Sequence, residues 1–207
     1  MIHEVDEALR RLVKEEALRG SDVDVVFDAP TREWAARRTA PTVNLYLYDL
    51  REDLRRRSRG LLNEYDRGRV VARPQPPRHI KLSYLLTAWA QRAEEEHRIL
   101  SALLMTFLRH DTLPPALLTG QLAALKLPVP LAVALPPPED RSSADVWTAL
   151  GGDLKPSLDI VASAPVDTGA EYTTPPPLVD PPLVDPQPAP EPAPVTMRRW
   201  SARERRG

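Results

Sequence analysis

The sequence predicts an α+β domain over residues 1–167 followed by a Pro-rich extended tail. Three observations carry this. Several stretches alternate apolar and polar residues with the two-residue period of a strand, and others repeat apolar residues every three or four positions, as an amphipathic helix does. Beyond Asp167 both patterns give way to proline-rich sequence.

Residues 1–19 place Ile2, Val5, Leu9, Leu12, Val13 and Ala17 on one helical stripe, and Gly20 is positioned to end it. In "DVDVVFDAP", Val23, Val25 and Phe27 alternate with acids until Pro30, which reads as a strand. "PTVNLYLYDL" is a second strand, with Val43, Leu45 and Leu47 on one face and Tyr46 and Tyr48 on the other. "RHIKLSYLLTAWAQRAEEEHRILSALLMTFLRH", residues 78–110, changes period near Ala90. Ile80, Leu82, Tyr84 and Leu86 alternate as a strand; Ile99, Leu100, Leu103, Leu104, Phe107 and Leu108 then form a helical stripe long enough to cover a sheet. Pro114 and Pro115 stop that helix. "PPALLTGQLAAL" predicts a short helix with Pro in its first turn, and "VPLAVALPPP" a short strand or extended run. "SSADVWTALGG" predicts a small helix, with capping-box spacing between Ser142 and Asp145 and Gly151 at the left-handed position after its last turn. "KPSLDIVASAPV" alternates Leu158, Ile160 and Ala162 against Ser157, Asp159 and Ser163, as a closing strand.

The tail divides into a spacer, residues 168–194, in which PPLVD occurs at 176–180 and again at 181–185, and a basic terminal peptide, residues 195–207. A stretch so rich in proline cannot donate a regular hydrogen-bond ladder and favours the polyproline form.

Composition narrows the function. The 207 residues are 42% hydrophobic, enough for one core of about 150 residues. The formal net charge of -1 gives no global attraction to nucleic acid or to a membrane. The absence of cysteine excludes disulfides, thiolate metal sites and cysteine nucleophiles, and is compatible with the cytoplasm, where the chain is expected. No apolar run approaches the ~20 residues that cross a bilayer. The acidic, amphipathic start is unlike a signal peptide.

No enzyme is expected, and no cofactor or metal. Glu94 and His97 have the Glu-x-x-His spacing of di-iron bundles, but that chemistry needs two copies and further glutamates, and here there is one. The solvated-face reading fits better, because Glu94, Glu95 and Glu96 fall in a first helical turn where acids complement the dipole. His3, His79, His97 and His110 share no metal-ligand spacing, and no Gly-rich phosphate loop or G-x-S-x-G elbow is present. Tyr46, Tyr48, Tyr84, Trp89 and Trp147 read as core or interface aromatics.

The candidate binding residues are the arginine run Arg51, Arg55, Arg56, Arg57 and Arg59, set against Glu52 and Asp53. Nucleic-acid contact is one reading, but no aromatic alternates with these arginines. Ion pairing with an acidic partner surface is the other. The first 28 residues carry eight acids and four basic residues, so identical subunits in a ring could bring opposite patches together.

Three segments together resemble a known family: "VNLYLYDLREDLRRRS", "IKLSYLLTAWAQRAEEEHRILSALL" with Tyr-Leu-Leu-Thr-Ala at 84–88, and "DVWTALGGDLKPSLDIVASAPV". In that order they are similar to the cap, or tail-terminator, proteins of phage-tail-like contractile injection systems, over nearly all of residues 1–167. The resemblance implies a mixed β-sheet packed against helices, and a structural protein that forms a sixfold ring, ends the inner tube and joins it to the contractile sheath. The implied partners are further copies of the chain, the tube protein and the sheath protein, without nucleic acid or membrane. The tail lies outside the resemblance. Its Met197, Arg198, Arg199 and Trp200 would be a grip on a partner, Trp200 filling an apolar pocket. A monomeric adaptor that binds a protein through the Pro-rich arm is the alternative.

Overall fold

The N-terminal stripe folds as predicted. In the computed structural model, which describes residues 1–135 and 143–173, helix α1 (Ile2–Leu12) buries Val5, Ala8, Leu9 and Leu12. A π-helical turn over Val13–Ala17 extends it, and the Leu18 N–H reaches back five residues to the Val13 carbonyl at 2.9 Å. The chain then runs through β1 (Asp24–Val26), α2 (Arg32–Ala36), β2 (Thr42–Glu52) and a 3₁₀ turn at Leu54–Arg56. A hairpin of β3 (Glu64–Asp66) and β4 (Arg69–Pro74) leads into β5 (Arg78–Trp89) and α3 (Ala93–Leu108). A second 3₁₀ turn (Pro115–Leu117), α4 (Gly120–Leu125), β6 (Leu131–Val133), α5 (Ser143–Ala149), β7 (Ser157–Val166) and β8 (Glu171–Thr173) complete it.

The main sheet is mixed, in the order β1-β2-β5-β7-β6. β1 runs parallel to β2 and the other neighbours are antiparallel. Register puts Leu45 opposite Leu86, and Leu82 and Leu131 opposite Ala162, so one face is continuously apolar. Val43, Leu45, Leu82, Tyr84, Leu86, Ile160 and Ala162 are fully buried there, in one cluster with Leu9, Leu12, Leu103, Phe107 and Leu122. The helical layer on this face is why α1 and α3 each need a broad apolar stripe.

The opposite face is covered at one end only. There Trp147 of α5 is buried, Trp89 closes β5, and Trp34 of α2 stands edge-on to Trp89 with ring centroids 5.2 Å apart. Lys155 places its ammonium 4.5 Å over the Trp89 ring and pairs with Glu96, whose carboxylate also accepts the Ala90 N–H at the start of α3.

Several features depart from the sequence reading. α2 and the β3–β4 hairpin are additional. The hairpin turn uses Arg67 at φ 47° and Gly68 at φ 81°, the double left-handed geometry of a type I′ turn in which Arg is an unusual first residue. The single helix expected in "PPALLTGQLAAL" is two pieces, broken at Leu118 with ψ 142°. The last long strand, β7, is central in space, between β5 and β6. Pairing also continues past residue 167: β8 joins β4, with Arg73 opposite Tyr172, in a second sheet ordered β3-β4-β8. The residues from the expected spacer that form β8 therefore belong to the unit Met1–Thr174. Gly151 takes the predicted left-handed conformation at φ 64°; Ser142, its expected companion at the other end of α5, lies outside the described residues.

Candidate interaction surface

The arginine run gains its shape from β2. Between Leu47 and Asp49 the register to β5 slips, making Tyr48 the extra residue of a β-bulge. Tyr48 and Asp49 consequently line the same open groove on the uncovered sheet face, about 470 Å³ in volume, with Arg51, Asp53, Lys81, Asp159 and Ser163. The Tyr48 hydroxyl donates to Asp159 at 2.7 Å.

Asp53 anchors the turn that leaves β2. Its N–H donates to the His79 carbonyl at 2.7 Å, and the residue is only 5% exposed. Its carboxylate accepts the Ser163 hydroxyl at 2.9 Å and faces the Lys81 ammonium and the Arg56 guanidinium, each at 3.6 Å. Burial alone would push the Asp53 carboxyl up; the Ser163 hydroxyl, Lys81 and the Arg55 N–H outweigh it and hold the group below its ordinary value. His79 beside it is pushed down by burial and by Arg56, which together outweigh the opposing pull of Asp53.

The candidate residues divide by their partners. Arg51 pairs with Asp49 at 2.9 Å on β2. Arg56 is held to Asp53, and Arg57 lies 3.6 Å from Glu52, which also takes Arg78 at 3.2 Å. Arg55 and Arg59 are exposed with no carboxylate partner among the described residues. Arg57, Arg59 and Arg78 line a cavity of about 500 Å³ with Leu54, Gln75 and Pro77, and no carboxylate lines it. The run is thus part internal bracing and part open basic surface. Sequence reasoning missed Arg78 and Lys81, which reach this region from the neighbouring strand. Met197, Arg198, Arg199 and Trp200 lie outside the described residues.

Glu94 and His97 lie on α3, Glu94 exposed and His97 exposed, as the solvated-face reading expects. Among the described residues no three His, Cys, Asp or Glu side chains converge as metal ligands, and no helix is long and apolar enough to cross a membrane.

This architecture, a mixed sheet with helices on one face and a small second sheet, defines a fold class shared with sheath and tube terminators. A solved sheath/tube terminator of the extracellular contractile injection system PVC, in its extended state, superposes with a TM-score of 0.65 and 21% identity, covering 91% of this chain and 65% of that one. The tube-terminating cap of the anti-feeding prophage gives a TM-score of 0.53 and 22% identity, covering 87% of this chain and 59% of that one. This chain therefore spans less than two thirds of either protein's length. The family model of the Pvc16 N-terminal domain matches residues 4–180, and the chain belongs to that family. No curated protein matches it.

Proposed function

We propose that this protein is a structural cap of a contractile injection system, a terminator that ends the inner tube and joins it to the sheath. The observation that carries the reading is the family match over residues 4–180, supported by the fold shared with two terminators. In this reading the subunits form a homo-hexameric ring, assembled in the cytoplasm, with tube and sheath proteins as partners and no catalytic role. The basic surface around Arg55, Arg57 and Arg59 meets acidic residues of a neighbour. The tail carrying Met197, Arg198, Arg199 and Trp200 reaches the sheath.

Deleting the protein from a producing cell tests the role. The expected result is sheath–tube particles of unregulated length, or none intact, seen by electron microscopy. Particles of normal length and contractility would overturn it.

A further inference from the structure

Charge is unevenly spread over this chain. Residues 51–81 hold ten basic residues against four acids, although the whole carries -1. Counting Asp167, next to the register partner of Arg78, and Glu171, opposite Pro74, still leaves an excess of four. Where β2 leaves the main sheet and β5 enters it, Arg57, Arg59 and Arg78 line one cavity of about 500 Å³. Glu52 is shared by two of them, its carboxylate lying 3.6 Å from Arg57 and 3.2 Å from Arg78. Arg59 has no carboxylate partner among the described residues. Other acids of the region have partners of their own: Asp53 meets Ser163, Lys81 and Arg56, and Asp167 accepts the Gly169 N–H at 2.9 Å. Glu64 and Asp66 share the hairpin with Arg67, Arg69 and Arg73. The cavity wall is held in place. The Gln75 N–H donates to the Ala170 carbonyl at 2.9 Å and its side-chain amide to the Tyr172 hydroxyl at 3.0 Å, and Pro76 and Pro77 stiffen the turn that follows.

A planar carboxylate is served by one or two guanidinium groups, and Glu52 already has two. Three guanidiniums around one space, with the Ser58 hydroxyl beside them, suit an oxyanion whose oxygens point in several directions, and arginine makes the bidentate contacts that phosphate takes. The volume falls within the range of small-molecule sites, with room for more than one phosphate group. Among the described residues no aromatic side chain lines the cavity, so a nucleobase has nothing there to stack on. We infer that this cavity binds a small multivalent phosphate anion. The binding does not need the proposed ring; where the ring forms, the anion competes with a neighbour's acids for Arg57 and Arg59.

The test titrates the full chain with inorganic pyrophosphate by calorimetry, at fixed ionic strength so that screening is constant. Wild type should saturate with one anion per chain. Arg57→Ala and Arg59→Ala should each weaken binding about tenfold or more, the loss of a charge-assisted contact. Arg59→Lys keeps the charge without the planar fork and should weaken it too. Arg98→Ala removes an exposed charge from α3 and should change the affinity by no more than about twofold, because a distant surface charge is screened. Circular dichroism verifies that each variant folds. No saturable binding by wild type, an equal loss in Arg98→Ala and the cavity variants, or tighter binding to a single-stranded oligonucleotide or to anionic phospholipid vesicles than to pyrophosphate would overturn the inference. The capping role stands apart from each of these outcomes, since particle length in cells reads it without added anion.

Discussion

Glu4 does for α4 what its own N-cap does not. Thr119 makes no side-chain cap, and the N–H groups of Gln121 and Leu122 donate instead to the Glu4 carboxylate, at 3.2 and 3.0 Å, from 117 and 118 residues away. Gly120 makes this possible twice over. It holds φ 54°, and a Cβ there would lie 2.4 Å from a Glu4 carboxylate oxygen. Glu4 could swing aside only by releasing α4. Gly120→Ala should therefore cost about 3 kcal/mol, the left-handed strain plus two charge-assisted bonds. Once Glu4→Gln has weakened the cap, the same change should cost less, a coupling that thermal unfolding of the single and double variants measures.

The buried carboxylates also set the pH response. Burial pushes Glu4 up, but its two backbone donors outweigh this, and it sits below its ordinary 4.5; Asp53 likewise lies below 3.8. A folded-state value below the unfolded one gives stability that is present above the unfolded value and lost as pH falls through the folded one. Glu4→Gln and Asp53→Asn should each lower stability at neutral pH and flatten the loss below about pH 4.5. Asp6 has the opposite sign. Burial raises its carboxyl, only partly offset by the Tyr84 hydroxyl at 2.7 Å and by Arg10. Its contribution is present below the unfolded value and disappears as pH rises. Asp6→Asn, which still accepts from Tyr84, should raise the neutral melting temperature by about 2–4 °C. An unchanged or lower midpoint would refute this.

Among the elements, the change of period near Ala90 was readable because β5 and α3 each bury one long face: Leu82, Tyr84 and Leu86 on the strand, Ile99, Leu103 and Phe107 on the helix. Short elements held by distant partners were not. α2 is five residues anchored by the Thr31 side chain and the Trp34–Trp89 contact, and the β3–β4 turn has Arg where Asn or Asp would signal it. The arginine run was legible as a charged segment. Its division into braced and open residues was not, because Lys81, Arg78 and Ser163 come from other strands. Exchanging Arg55, Arg56 and Arg57 for Ser should lower subunit stability by only about 1 kcal/mol, since the Arg57–Glu52 pair is exposed and the buried Asp53 carboxylate keeps Ser163 and Lys81 when Arg56 is lost. The same change should weaken assembly, and the deficit should vary with salt in sedimentation at several ionic strengths. Equal assembly of variant and wild type at every ionic strength would reduce the segment to a solvated turn.

For the whole molecule, residues 1–174 form a unit with its own core. Removing residues 175–207 should leave a chain that folds and forms rings, as circular dichroism and sedimentation would show. In cells such rings should lose the sheath-side attachment, seen as caps missing or sheaths detached at that end. Rings that still join tube and sheath normally would deny the tail that role. The domain core and the proline-rich change were visible in the sequence. The boundary was not, because β8 is three residues whose only described partner strand is β4, nearly a hundred positions earlier.

The interior position of β7 has a consequence in time. During synthesis β2 and β5 can pair as soon as residue 89 is available, but the other edge of β5 then stays open until the β7 residues, 157–166, have been made. Over that interval a ten-residue ladder of unsatisfied backbone groups is exposed on Thr87–Arg78, and β6, already synthesised, has no strand to join. A nascent chain halted before Ser157 is therefore an open template for aggregation. Only once residues 157–166 have been made can β7 cover that edge of β5 and give β6 its partner strand.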